Sequence, residues 1–278
     1  MRATSAPGHG VELARQAADE GFARVIAAGG DGTVNEVGNG LMRANRPAVM
    51  GVWPLGSSND YAFALGLSDW WKKQGDGVNL VRRAVDVGAV RGGKREHFYL
   101  NCAGVGFNGM VALDSRRIRW LRGMPLYALA YLRCLMWHFR TPPTRVRLGE
   151  LELATPLLAL TVNVGIREGG FPITPNAKVD DGRFDFVHVA DLRRWDLIRL
   201  LPRLMAGDIP TNHPKIRTGT APHVRISSDV PLCAHADGEF ACVPADGVTE
   251  LTFDTLPERL MVEGGPTPIP VALALTPA

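Results

Sequence analysis

GGDGTVNE, residues 29–36, follows an apolar run at 22–28 and leads into Val34, Val37, Leu41 and Met42, which recur at helical spacing. The reading is a strand, a glycine-rich turn and a helix. The pattern repeats at once, because the apolar stretch 49–52 runs into PLGSSND, residues 54–60, and then into the helix-like 61–65. Two consecutive strand–loop–helix units imply an α/β layer on a parallel sheet. Upstream, Val11, Leu13, Ala14 and Ala17 predict a short amphipathic helix over 11–18 that stops near Gly21.

Downstream the texture changes. Segments 84–90, 97–103, 145–148, 150–164, 183–189, 223–227 and 249–253 read as strands separated by Gly, Pro and Asp-Gly signals. Two helical patterns, 125–139 and 193–205, interrupt them, the first with Pro125 at its opening. The expected organisation is an α/β domain over 1–84, completed by 256–264, a β-rich domain over 85–255, and a flexible proline-rich tail over 265–278.

The 278 residues are 46% apolar and 21% charged, far from the composition of disordered chains. The 31 Lys and Arg against 28 Asp and Glu leave a net charge of +3, too small an excess for a nucleic-acid binder. Cys102, Cys134, Cys233 and Cys242 form no C-x-x-C pair and no zinc spacing, so reduced, partly buried thiols and a cytoplasmic location are expected. No stretch of about 18 uncharged apolar residues suggests a membrane span.

The chemistry concentrates in the two loops. Gly29, Gly30 and Gly32 let the backbone approach an anion, and the helix that starts there offers free N–H groups to a phosphate. Asp31 suits either a ribose hydroxyl or the Mg²⁺ of a nucleotide, while Thr33 and Asn35 bring neutral polar groups. The motif is neither G-x-x-x-x-G-K-[ST] nor G-x-G-x-x-G, and a purely structural turn is the competing reading. PLGSSND, at the end of the next strand, brings a second polar loop to the sheet edge where ligands of open α/β sheets collect. Ser57, Ser58 and Asn59 suit a phosphate; Asp60 suits either the ligand or, more ordinarily, the cap of the helix that follows.

GGDGTVNEVGNGL followed by GVWPLGSSNDYAFALGL resembles the ATP-binding half of the diacylglycerol kinase catalytic-domain family, which includes bacterial lipid kinases and sphingosine kinases. NCAGVGF at 101–107, PNAKVDDGRFD at 175–185 and the triplet Asp237-Gly238-Glu239 continue the resemblance in order along the chain. It implies a nucleotide-binding α/β domain related to phosphofructokinases and NAD kinases, a β-sandwich-like second domain, and a cleft between them. It implies ATP and Mg²⁺ as cofactors and a diacylglycerol-like lipid as substrate. Carried over residue by residue, Gly29, Gly30, Asp31, Gly32, Thr33, Val34, Asn35 and Glu36 become the nucleotide loop. Gly56, Ser57, Asn59 and Asp60 become the second contact, and Thr4 an early one. Glu239 becomes the proton acceptor, with Asp237 beside it in a catalytic carboxylate pair. Read as an extended segment, residues two apart share a face and would converge; the alternative is an exposed Asp-Gly hairpin turn. Asp181, with the carbonyls of Lys178 and Arg183, matches the family's metal loop.

Two rivals accompany this reading: a kinase of the NAD kinase type with a soluble acceptor, and a non-catalytic nucleotide- or lipid-binding relative. Family members begin with a β-strand and an Asn-Pro-x-x-Gly loop that contributes to ATP binding. This sequence opens at the first helix, so weak ATP affinity or poor solubility is expected of it. Residues 116–140 mix Trp120, Tyr127, Tyr131, Met136 and Trp137 with Arg116, Arg117, Arg119, Arg122, Arg133 and Arg140. Aromatic and basic residues together suit peripheral contact with the anionic inner face of a membrane. A homodimer is one possible assembly. His235, two residues before Asp237, reads as a packing or hydrogen-bonding group near the site.

Overall fold

The computed structural model describes residues 1–67, 80–93 and 96–265, so the expected flexible tail from residue 266 lies outside the described residues. Helix α1, His9–Asp19, buries Gly10, Ala14 and Ala18 on one side and packs against α2, Asp31–Met42. Between them runs β1, Arg24–Gly29, which pairs in parallel with β2, Val49–Pro54, in the register Arg24↔Val49 to Gly29↔Pro54. Both strands end level, so GGDG and PLGSSND emerge side by side, and α3, Asp60–Ala64, follows the second loop.

Strand β3, Val81–Arg91, lies antiparallel to β13, Glu250–Gly264, along almost its whole length. These two long strands join the halves of the molecule. Val262 of β13 pairs with Met50 of β2 in parallel, whereas residues nearer its start pair with β10, His223–Ser228. The ladder slips between Leu256 and Leu260, where Glu258 takes a left-handed φ of 51°, and the strand turns from one half into the other. The expected boundaries at 84/85 and 255/256 therefore fall inside β3 and β13.

The second half is antiparallel. Beside β10 stand β6, Pro143–Leu148, and β7, Leu151–Asn163; β8, Phe184–Ala190, and β9, Ile216–Ala221, flank β7 on one side. On the other lie β5, Ala103–Gly106, and the hairpin of β11, Ala234–Ala236, with β12, Glu239–Cys242. In β6 every second residue is buried, the mark of a sheet with one wet face. Strand β7 changes partway: its last seven residues are all buried, because helices close over that face. Those helices are α4, Phe107–Ser115, α5, Met124–Trp137, and α6, Arg194–Met205. Phe107, Cys134, Leu135, Leu158, Val187 and Leu197 form the core between them and the sheet.

The strand expected over 97–103 is broken. Strand β4, His97–Tyr99, pairs with β3, while residues 100–102 leave the ladder before β5 begins. The short strands β9, β11 and β12 and the helix α4 were not among the sequence expectations. All four cysteines are free and buried.

Candidate functional site

The first two loops meet at their glycines. A Cβ on Gly30 would stand 3.1 Å from Gly56 Cα, and one on Gly56 would run into Gly30, so the GGDG and PLGSSND turns touch only because neither has a side chain there. Asn59 closes the second loop on itself: its side chain accepts from Gly56 N at 2.8 Å and donates to Gly56 O at 2.8 Å. Asn59 holds a left-handed φ of 50°, a conformation asparagine tolerates. Asp31, at the start of α2, points across to the start of α3 and accepts from Tyr61 N at 3.3 Å.

Asp60 does not cap its helix. Asn59 occupies the N-cap position, and the buried Asp60 carboxylate instead accepts from Gly170 N, at 3.1 Å to each oxygen. Gly170 belongs to the loop after β7, so Asp60 ties the two halves together. Burial, then the neighbouring Asp31 charge, pushes the Asp60 carboxyl up to about 7. Asp31 is also raised by burial, against backbone hydrogen bonds that pull it down.

Asn35 and Glu36 point in different directions from α2. Asn35 reaches Phe98 O and Asp237, while Glu36 accepts from Gly8 N at 2.7 Å and Gly10 N at 2.8 Å. Glu36 therefore holds the N-terminus of α1, where a carboxylate is electrostatically favoured, and both its oxygens are engaged there. Thr4, Gly32 and Ser57 are exposed, and Thr33 is half-buried. Val34 is buried and lines the cavity.

The Asp237-Gly238-Glu239 triplet is a two-residue hairpin turn, not an extended segment. Asp237 and Gly238 have φ of 49° and 82°, so Asp237 and Glu239 do not converge. Asp237 Oδ1 accepts from Asn101 N at 3.1 Å and Cys102 N at 2.8 Å. Its Oδ2 accepts from Leu100 N at 2.7 Å and Asn35 Nδ2 at 2.9 Å. Four donors occupy the carboxylate. This bonding also explains the break after β4, since the three successive amides that would continue the ladder turn onto Asp237. The expected catalytic pair is corrected accordingly: Asp237 is a clasp. Glu239 is exposed and pairs with Arg116 at 3.2 Å, and Arg116 also donates to Gly238 O at 2.6 Å.

A cavity of about 200 Å³ lies between the halves. Asp31, Asn35 and Asp60 line it from the first half, and Asn101, Asp237 and Gly238 from the clasp. The opposing wall is apolar, from Val111 and Ala112 of α4, Tyr127 and Tyr131 of α5, and Leu201 and Leu204 of α6. Helical periodicity alone could have found α5 and α6 but not this shared wall, which depends on how they cross the sheet.

The loop at 178–183 stands apart from the cavity walls. Asp86, fully buried, organises it by donating from its own N to Val179 O at 2.7 Å and accepting from Gly182 N at 2.6 Å and Glu258 N at 2.9 Å. Asp181 accepts from Arg183 N at 3.1 Å, and burial followed by the Asp181 charge pushes Asp185 up to about 6. The donors offered are all oxygens, the kind a hard cation takes. Among the described residues, no group of three or more His, Cys, Asp or Glu side chains is gathered for a metal.

The chain matches the model of the diacylglycerol kinase catalytic domain over residues 1–90 and that of the YegS C-terminal NAD kinase beta sandwich-like domain over residues 101–263. It is 33% identical to a Chromohalobacter salexigens protein named "Probable lipid kinase YegS-like", over 86% of this chain and 76% of that one. It is 31% identical to the diacylglycerol kinase of Bacillus subtilis, over 86% and 78%. A crystal structure of a diacylglycerol kinase from Bacillus anthracis superposes with a TM-score of 0.68 at 19% identity, covering 96% of this chain and 85% of that one. The fold is thus an α/β half followed by a β-sandwich-like half, as the sequence motifs implied.

Proposed function

The chain belongs to the diacylglycerol kinase catalytic-domain family of YegS-like lipid kinases, and from that premise we propose that it transfers the γ-phosphate of ATP to a hydroxyl of diacylglycerol or a related lipid. The observation that carries the proposal is the cavity, in which the carboxylates beside the two glycine loops face an apolar wall of three helices. A soluble acceptor has no use for that wall; a lipid that presents one hydroxyl and buries its chains does.

Phosphoryl transfer requires that the acceptor be aligned, charge on the moving group be offset and one proton be removed. The touching loops and the N-terminus of α2, with Gly30 at the cap, would cradle the nucleotide phosphates. Two carboxyls held close together out of water, Asp31 and Asp60, are repaid by a divalent cation, so these residues fit the Mg²⁺ of a bound nucleotide. Bound there, Mg²⁺ supplies the neutralising charge that a P-loop lysine would otherwise provide. Glu239 would take the proton of the acceptor hydroxyl, its side chain exposed beside Gly238 at the cavity rim. Asp237 would position that hairpin. Asp181, with the carbonyls of Lys178 and Arg183, would hold a second, structural cation.

The acceptor would enter from a membrane surface. Trp120, Leu132, Met136 and Trp137 are exposed on and before α5, as are Trp195 and Ile198 on α6, the helices that wall the cavity. Arg119, Arg122, Arg193 and Arg199 are exposed among them. Apolar rings amid cations suit an anionic lipid interface. Among the described residues no helix is long and apolar enough to cross a membrane.

The deciding assay incubates the chain with labelled ATP and mixed micelles of diacylglycerol. Label is expected in an organic-extractable lipid and absent with Asp31→Ala; label recovered only in aqueous products would sink the lipid reading.

A further inference from the structure

The cavity is small for the acceptor it would take. It holds about 200 Å³, whereas cavities that enclose drug-sized ligands run to about 300–1,000 Å³, and a diacylglycerol with two long chains is larger than those ligands. The chains therefore need a wall to move. Two of the three helices are held fast: Phe107, Asp114 and Ser115 of α4 are buried, as are Ala130, Cys134 and Leu135 of α5, and Arg133 of α5 joins the buried Asp114 at 2.7 Å.

Helix α6 is attached differently. Among its described side chains only Leu197 is buried, and Leu201 and Leu204, at the next turns of the same face, line the cavity. Pro202, inside the helix, has no N–H to donate to the carbonyl four residues back, so the helix is weakest between the exposed Trp195 and Ile198 and the inward Leu204. Two contacts add to the packing. Tyr131 of α5 donates to Leu197 O at 3.3 Å, and the Arg194 guanidinium lies 5.2 Å from the centre of the Phe139 ring, just past α5. The first is long for a hydroxyl bond, and the second sits at the exposed first turn of α6. The Tyr131 ring packs edge-on against Phe107 of α4 at 5.2 Å, so it stays with the fixed wall when its bond to α6 breaks.

We propose that the acyl chains of the acceptor pass between α5 and α6, through a port that opens when α6 swings away from the wall, and that the bond from Tyr131 to Leu197 O is the latch that keeps it shut. The proposal rests on the lipid kinase reading and says where the chains of its acceptor go. With α6 displaced, its inner leucines and the Tyr131 ring still offer apolar surface to the chains, while the hydroxyl end remains beside Asp31 and Asp60. The exposed Trp195 and Ile198 let a bilayer hold the outer face of the same helix, so membrane contact and opening draw on one element. A closed latch weakens binding, since only the open fraction of the protein accepts the chains.

Loss of the latch should therefore tighten binding, the reverse of what losing a wall contact does. The test titrates the full chain, wild type and Tyr131→Phe, with dioctanoylglycerol and with diacetylglycerol by calorimetry, and measures phosphorylation with labelled ATP separately. Tyr131→Phe is expected to bind dioctanoylglycerol several-fold more tightly than wild type, and diacetylglycerol, whose short chains need no open port, no differently. Arg194→Ala removes the other tie and should act in the same direction, so it carries the test if Tyr131→Phe does not fold. Weaker or equal binding of dioctanoylglycerol by the folded variants, no binding of it to any of the three proteins, or an equal gain for diacetylglycerol overturns the port. If the variants bind more tightly but no lipid is phosphorylated, the kinase reading fails and the port stands.

Discussion

Asn35 Nδ2 donates a 2.9 Å hydrogen bond to Asp237 Oδ2 across 202 positions of sequence, and with it the helix behind GGDG is tied to the hairpin that presents Glu239. The same carboxylate gathers the amides of Leu100, Asn101 and Cys102. One side chain thus fixes the distance between the two glycine loops and the hairpin carrying the proposed base.

Asp237→Asn should therefore be a stability variant. An amide places N–H against backbone N–H groups and forfeits charge-assisted bonds, for a loss of about 2–4 kcal/mol. Denaturant unfolding of the variant checks this; an unchanged midpoint would contradict the clasp.

Glu239→Gln should behave in the opposite way. Its exposed pair with Arg116 contributes at most about 1 kcal/mol, so folding should hardly change. If Glu239 takes the acceptor's proton, kcat should fall on the order of 10²–10⁴-fold with little change in the KM for ATP. A variant with full activity would remove Glu239 from the reaction.

Local patterns made much of this fold legible. Glycines at 29, 30 and 32 after an apolar run gave the strand–turn–helix, and the repeat at 49–65 gave the parallel pair. What escaped was set by contacts far apart in sequence. Residues 100–102 carry ordinary strand chemistry, yet their amides answer to a carboxylate more than 130 positions away. The contacts of Glu36 with the start of α1 and of Asp60 across to the second half escaped for the same reason, as their partners, Gly8 and Gly10 in one case and Gly170 in the other, have no side chain that could announce the contact. The short strands β11 and β12 span three and four residues, too few for a period to register.

Membrane contact would involve more than residues 116–140. Within that stretch Arg116 is engaged with Glu239 and Arg133 with Asp114 at 2.7 Å, so these cations are less available to lipid than their number suggests. Trp195, 71% exposed on α6, adds an apolar ring outside it. Trp195→Ala should weaken binding to anionic vesicles several-fold while leaving unfolding unchanged, and binding should fall as salt rises. Vesicle sedimentation at two salt concentrations measures both; a variant that sediments like wild type would discard α6 as part of the contact.

Asp60 supplies a pH dependence whose sign follows from its environment. Its folded pKa of about 7 lies above the ordinary carboxylate value. Below about pH 4 folded and unfolded chains both hold the proton; between about 4 and 7 only the folded chain does. Stability from this group is thus full in acid and declines as pH rises through that window, by at most about 4 kcal/mol. Asp60→Asn removes the titration while keeping an oxygen for Gly170 N, so its melting temperature should gain on wild type from pH 5 to pH 8. Mg²⁺ added at pH 8 should raise the wild-type melting temperature and leave Asp60→Asn nearly unmoved, because only the wild type has two charges to offset. Parallel melting profiles with and without the ion would show that Asp60 is neither strained by its charge nor facing a cation.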